Sequence, residues 1–195
     1  LLRDGVVVTK KVRSTPPDFS RAVLEGLGDL MDQESFTGTQ LDQVSHGMTV
    51  ISNAVIENKG ARTGLITTKG FRDVLEFGRM TNPMGFDMSW DKPVPLVDRF
   101  LRVEVRERVT SSGEVFTPIH MDDVEGALDY LLQNDVTSIA VCYINSYVNS
   151  DHEVATADAI REKAPQVTIS LSSEVVPEVK EFERTSTTVI DAYVK

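Results

Sequence analysis

His46, Gly47 and Thr49 lie in the stretch SHGMTVISNAV, residues 45–55, directly ahead of an amphipathic run. These residue types in this order suit the binding of an oxyanion. A helix starting here has free N–H groups in its first turn and the positive end of its dipole beside them. Gly47 lets backbone approach a ligand, Thr49 offers a hydroxyl donor and His46 an imidazole N–H. A plainer reading uses the same residues: Ser45 and Thr49 cap the helix, and His46 is a partly buried, satisfied imidazole. Short glycine motifs match often by chance, so the stretch alone favours the plainer reading.

Further along, Lys59, Arg62, Lys69, Arg72 and Arg79 outnumber Glu57, Asp73 and Glu76 in a chain whose formal net charge is −10. A local excess of cations suits an anionic ligand. Helical ion pairs such as Arg72 with Glu76 give the same composition without a site, and Asp73 reads as a carboxylate at a helix N-terminus. His120 and His152 both fall at expected helix starts and read as surface residues. Cys142 sits in an apolar run, where a thiol is inert. The sequence contains no serine elbow, no P-loop and no Cys/His cluster with zinc spacing, so no metal ligands are assigned from it.

The bulk composition bounds the function classes. The chain has 195 residues, 41% hydrophobic and 26% charged, which is ordinary for a soluble globular protein. A charge of −10 argues against a nucleic-acid partner, which requires a basic face. One cysteine excludes an internal disulfide and fits a reducing, cytoplasmic location. No apolar run is long enough for a membrane-spanning helix, and the N-terminus lacks a signal-peptide pattern. The opening LLRDGVVV reads as a hairpin about Asp4-Gly5 whose first strand is cut short, so the chain is expected to be a piece of something longer.

The elements that must position these residues follow from periodicity. VVVTKKV is expected to be a strand. A helix follows Pro16 and Pro17, with Phe19, Ala22, Val23, Gly26, Leu27, Leu30 and Met31 on one face. LDQVSH is a short strand leading to a helix, MTVISNAVIENKG, that buries Val50, Ile51, Ala54 and Val55 and stops at Gly60. ARTGLITTKG is a strand and FRDVLEFG a short helix; residues 79–98 carry no period. LRVEVRERV and EVFTPI form a hairpin. The last third reads helix, strand, helix, strand, helix: MDDVEGALDYLLQND, SIAVCYI, a helix opened by a Ser150–Glu153 capping box, VTISLS, and RTSTTVIDAYVK. This order gives an α/β fold with mixed or parallel sheet layers. Three parts are expected: 1–78 with the His-Gly turn, 79–119 as irregular loop plus hairpin, and 120–195 ending in a linking helix.

Read together, KKVRSTPPDFSRAVLEGL, SHGMTVISNAVIENKGARTGLITTKGFRDVLEFGR, VCYINSYVNSDHE and LSSEVVPEVKEFERTSTTVIDAYV resemble the N-terminal region of the hydantoinase A/5-oxoprolinase family, in order and spacing. The resemblance covers nearly the whole chain. It implies part of an actin-like (RNase H-like) ATPase fold, with ATP and Mg²⁺ as cofactors and a small-molecule substrate. Members open cyclic amides by phosphorylating a carbonyl oxygen, which makes it a target for water. Related members are subunits of acetone or acetophenone carboxylases, and a hydantoinase B-like subunit or domain completes the assembly. A non-catalytic assembly domain is a third reading. The family's His-Gly-Thr-Thr turn falls on His46, Gly47, Met48 and Thr49, with methionine at the usual first threonine. Asn53, Arg72, Asp73 and Arg79 fall on the downstream positions, giving a nucleotide- or substrate-binding set. Arg184 and Thr187 fall on the closing block, where Asp191 replaces a more usual asparagine. The family's glycine-rich phosphate motifs are expected just ahead of residue 1 and well beyond Lys195.

Overall fold

The computed structural model describes residues 2, 3, 5–16, 18–47, 49–81, 84–87 and 89–195. Asp4, Pro17, Met48 and Pro83 lie outside the described residues, as do the side chains of Leu2, Arg3 and Val50. The chain divides into two compact units, residues 1–48 and 49–195.

In the smaller unit, β1 (Leu2–Arg3) runs antiparallel to β2 (Val6–Val7), pairing Leu2 with Val7 and Arg3 with Val6. Gly5, at φ +79°, supplies the left-handed residue that so tight a turn requires. Helix α1 (Ser20–Gln33) is opened from upstream: Asp18 Oδ1 accepts from the Ser20 N–H at 3.0 Å and Thr15 Oγ1 from the Ala22 N–H at 3.1 Å. Of the expected face, Ala22 and Gly26 are buried, while Phe19 and Val23 remain exposed. Residues 41–47 form no strand. The apolar residues of LDQVSH, Leu41 and Val44, are three apart, so a strand would point them to opposite faces.

The larger unit opens with α2 (Val50–Ile56), followed by β3 (Thr63–Thr68), α3 (Val74–Phe77) and β4 (Arg102–Val105). Next come β5 (Arg108–Val109), β6 (Val115–Thr117), α4 (Met121–Gln133) and β7 (Ser138–Cys142). Then follow α5 (Asp151–Lys163), β8 (Thr168–Leu171), α6 (Ser172–Val175) and α7 (Glu181–Val194). Four strands form one parallel sheet in the order β4-β3-β7-β8. Every residue of β3 and β7 is buried, as parallel strands covered on both faces must be. The pleat sorts the covering helices. Gly64 and Ile139 are paired in register, and a Cβ on Gly64 would meet Leu131 of α4 at 2.7 Å. Their neighbours Thr63 and Ser138 face the other way, where Ser138 Oγ donates to the Ala192 carbonyl of α7 at 2.6 Å. The core follows from this arrangement: Val124, Leu128 and Leu131 of α4 and Ile160 of α5, with Val189 and Ala192 of α7.

Three local expectations are corrected. Leu101–Val109 is not one hairpin strand: β4 pairs parallel with β3, and only β5 forms a hairpin, with β6. The break has a cause. The Arg106 N–H donates to Asp123 at 3.0 Å instead of to a neighbouring strand, and Glu107 turns inward. The Ser150–Glu153 capping box does not form, because the Glu153 carboxyl is used elsewhere. Finally, α2 ends through Asn58 rather than Gly60. Asn58 takes φ +52° and the Lys59 N–H closes on the Ala54 carbonyl at 3.0 Å.

Gly60 has a different reason to lack a side chain. A Cβ there would lie 2.2 Å from Cε1 of Tyr193, whose ring packs over the backbone. Overpacking of this kind costs about 1–3 kcal/mol, so Gly60→Ala is expected to lower the urea midpoint by that equivalent without changing its slope. An unchanged midpoint would show that the Tyr193 ring swings aside freely.

Candidate functional site

The strand order reverses between β3 and β7: the chain passes from β3 to β4 on one side and from β7 to β8 on the other. In open parallel sheets the carboxyl ends at such a reversal are the usual place for a ligand crevice. Here that position is filled by buried polar side chains. Thr68, the last residue of β3, donates its hydroxyl to Glu107 and accepts from the Ile144 N–H at 2.9 Å. The other oxygen of Glu107 meets His152 Nδ1 at 2.7 Å. His152 is therefore buried, not a surface residue: the first turn of α5 presses it against the carboxylate. A carboxylate on Nδ1 fixes the orientation of an imidazole, as in catalytic dyads. Both side chains are enclosed, however, so the pair ties the ends of β3 and α5 to the loop after β4.

Glu153 holds the next part of this cluster and is fully buried. It accepts from the Tyr143 N–H at 3.0 Å, from Ser172 Oγ at 2.6 Å and from the Ser173 N–H at 2.9 Å. Because Ser172 gives its proton to Glu153, Ser146 Oγ must donate to Ser172, at 3.0 Å. Arg184 Nη1 in turn donates to both serines. A chain of hydroxyls thus runs from the buried guanidinium to the buried carboxyl. Arg184 Nε and Nη2 have no acceptor among the described residues, and the guanidinium lies 5.6 Å from the Tyr147 ring. Burial raises the Cys142 thiol above its ordinary range and keeps the Tyr143 phenol protonated. Both are inert by this reading.

Of the residues singled out in the sequence, Arg184 belongs to this cluster; the others are taken unit by unit. In the smaller unit, His46 and Gly47 are exposed, which removes the partly buried imidazole from consideration. In the larger unit, Thr49 is the N-cap of α2 but makes no side-chain cap bond, and Asn53 is exposed on that seven-residue helix. Arg72 donates to the Arg102 carbonyl at 3.0 Å rather than pairing with Glu76. Asp73 is gripped by both Nε and Nη2 of Arg99, at 2.9 Å each, and this hydrogen bonding holds its carboxyl below the usual range. Arg79 pairs with Glu183 at 2.7 Å. Thr187 is exposed, and Asp191 accepts from Ser170 Oγ and Lys195 Nζ at 2.6 Å each. Among the described residues no group of three or more His, Cys, Asp or Glu side chains could hold a metal ion.

The buried cluster carried a signal that residue type concealed. Glu107 has the same parity as Leu101, Val103, Val105 and Val109, so it belongs to the apolar face of its run. Glu153 is in helical register with Ala157, Ile160 and Ala164, all buried.

Residues 1–164 match the family described as hydantoinase/oxoprolinase N-terminal region. The chain is 33% identical over 195 residues to the caprolactamase alpha subunit of Pseudomonas jessenii, covering 97% of this chain and 28% of that one. It is 31% identical over 213 residues to the acetophenone carboxylase gamma subunit of Aromatoleum aromaticum, covering 100% of this chain and 29% of that one. With the 5-oxoprolinase of Saccharomyces cerevisiae it shares 33% identity over 222 residues, 95% of this chain and 17% of that one. The crystal structure of the ATP-dependent caprolactamase from Pseudomonas jessenii superposes with a TM-score of 0.81 over 97% of this chain and 28% of that one. The α/β architecture is thus that expected of part of an actin-like ATPase fold. The chain spans less than a third of the length of these relatives.

Proposed function

We propose a function from one premise: this chain belongs to the hydantoinase/oxoprolinase family, through its N-terminal region. In a longer polypeptide it contributes to the ATP-dependent opening of a cyclic amide. The observation that carries this reading is the similarity to caprolactamase, in sequence and in fold, across 97% of the chain. His46, Gly47, Thr49, Asn53, Arg72, Asp73 and Arg79 are assigned to nucleotide or substrate binding. Among the described residues no cluster of three or more His, Cys, Asp or Glu side chains would hold a metal ion by itself, so Mg²⁺ would be carried mainly by the nucleotide's own phosphates. This chain's part is therefore to bind and orient, and ATP with Mg²⁺ draws its phosphate contacts from elsewhere in the protein.

The partner is a hydantoinase B-like subunit or domain; two of the relatives are themselves named as subunits. A cytoplasmic location accords with the lone, buried Cys142. No helix among the described residues is long and apolar enough to cross a membrane. A second reading, a subunit of an ATP-dependent ketone carboxylase, is favoured by the 31% identity to the acetophenone carboxylase subunit. A non-catalytic assembly domain is favoured by the separate partners that already hold Arg72, Asp73 and Arg79.

The test is an assay of the full-length gene product with its B-like partner. ADP release coupled to ring opening of caprolactam, 5-oxoproline or a hydantoin is expected. ADP release that needs bicarbonate and a ketone instead would assign the carboxylase. The 195-residue chain alone is expected to show no ATPase turnover, because a transferring phosphoryl group must be neutralised from several sides. Full turnover by the chain alone would overturn the division of labour.

A further inference from the structure

Beside α3 and α7, within the larger unit, lies a cleft of about 430 Å³. Small-molecule sites run from about 300 to 1,000 Å³ and join apolar walls to a few placed polar groups. Leu75, Leu96, Phe182 and Val189 supply the apolar wall, with the half-buried Trp90 beside them. At the mouth, Phe77, Met80 and Val94 are 58%, 83% and 86% exposed, apolar surface that an occupant would take out of water.

Charge selects the occupant. Glu76 lines the cleft, but its carboxylate meets the buried Arg102 Nη1 at 3.1 Å. Arg79 lines it too and is held by Glu183 at 2.7 Å. Lys92 is different. Its ammonium donates to the Glu76 carbonyl at 3.1 Å and has no carboxylate within ion-pair distance among the described residues. An ammonium has three donors, so two remain for a ligand. In a chain of net charge −10, an uncommitted cation on an apolar wall is a contact for an acidic headgroup.

We propose that this cleft binds an amphipathic monocarboxylate, with its aromatic or acyl body against Trp90 and Phe182 and its carboxylate on Lys92. The proposal does not rest on the enzymatic reading: the ligand contacts it names are Trp90, Phe182 and Lys92, none of them assigned to nucleotide or substrate binding, and it needs no nucleotide.

Trp90 is the single tryptophan, so occupancy of the cleft reads directly in intrinsic fluorescence. The probes are 4-phenylbutyrate, its neutral amide 4-phenylbutanamide, and 4-phenylbutylamine. The acid is expected to quench Trp90 saturably and to bind about tenfold more tightly than the amide, the gain of one charge-assisted hydrogen bond, with the amine weakest. Lys92→Gln should bring the acid down to the amide's affinity and leave the amide unchanged, and Lys92→Arg should restore the acid. Lys92 is exposed, so both variants should keep the native circular dichroism. Equal binding of acid and amide, no saturable response at millimolar acid, or a Lys92→Gln variant that binds acid normally would each overturn the proposal. So would absence of acid binding by calorimetry in the full-length protein, which would assign this face to packing within the longer chain.

Discussion

Glu153→Ala is expected to remove about 3–5 kcal/mol of unfolding free energy, a large share of the roughly 5–15 kcal/mol available to a domain. The loss has three identifiable parts. The Tyr143 N–H, the Ser172 hydroxyl and the Ser173 N–H all donate to this one buried carboxyl, and each would be left without an acceptor. A buried donor without a partner costs about 1–3 kcal/mol. Partial relaxation, such as rotation of the Ser172 hydroxyl toward Ser146, keeps the total below the full sum. Glu153→Gln is expected to cost less, about 1–3 kcal/mol, because one oxygen still accepts while the amide N–H₂ opposes a donor. Urea unfolding followed by circular dichroism gives both values. Glu162→Ala, at an exposed position of the same helix, is the control and should stay within about 0.5 kcal/mol of the parent. If Glu153→Ala unfolds with the control, the cluster is decoration on a sheet that holds without it.

The same residue shows why part of the fold was legible in the sequence and part was not. The strand SIAVC and the helix MDDVEGALDYLLQ announce themselves through a near-continuous apolar run and 3.6-periodic apolar positions, and TGLITT through its β-branched residues. Ser150 and Glu153 have the spacing of a capping box, a local rule, yet the carboxyl bonds to residues 10, 19 and 20 positions away in sequence. Local spacing cannot register donors that only the packing of β7 against β8 delivers. Strand pairing failed for a related reason. LRVEVRERV alternates like a hairpin strand, and nothing in its pattern states that its first half will lie parallel to β3, from a segment more than thirty residues earlier. Glu107 and Glu153 both occupy apolar registers, but carboxylates are ordinarily solvent-facing, so register was outvoted by residue type.

The basic excess between Glu57 and Arg79 fails as a patch for a physical reason. Four of the five cationic side chains reach an acceptor of their own: Lys59 takes Glu57, Arg62 the Asn134 carbonyl, Arg72 the Arg102 carbonyl and Arg79 Glu183. Composition counts charges, whereas a site needs them to converge. Lys92 lay in the segment with no period at all, so no sequence rule singled it out, and it carries significance only through what surrounds it.

His46→Ala in the full-length protein is expected to depress ATP-coupled turnover about a hundredfold, the usual cost of removing one positioned electrostatic donor. The assignment rests on the His46-Gly47 turn of the family pattern and on the exposure of His46 in this chain. Exposure makes the experiment decisive. A buried imidazole would confound activity with folding through a lost hydrogen bond of about 0.5–1.5 kcal/mol, but His46 makes no hydrogen bond to any described residue that could be lost in this way. The melting temperature of the variant should therefore stay at the parent value while turnover falls, both measured on one preparation. The split between kcat and KM adds the mechanism. A donor used only as charge develops in the transition state lowers kcat and kcat/KM together, whereas a donor that merely holds the bound nucleotide or substrate raises KM and spares kcat. Normal turnover with a normal melting temperature would remove His46 from the assigned set and leave Arg72, Asp73 and Arg79, each already held by a neighbour, to be tested on their own.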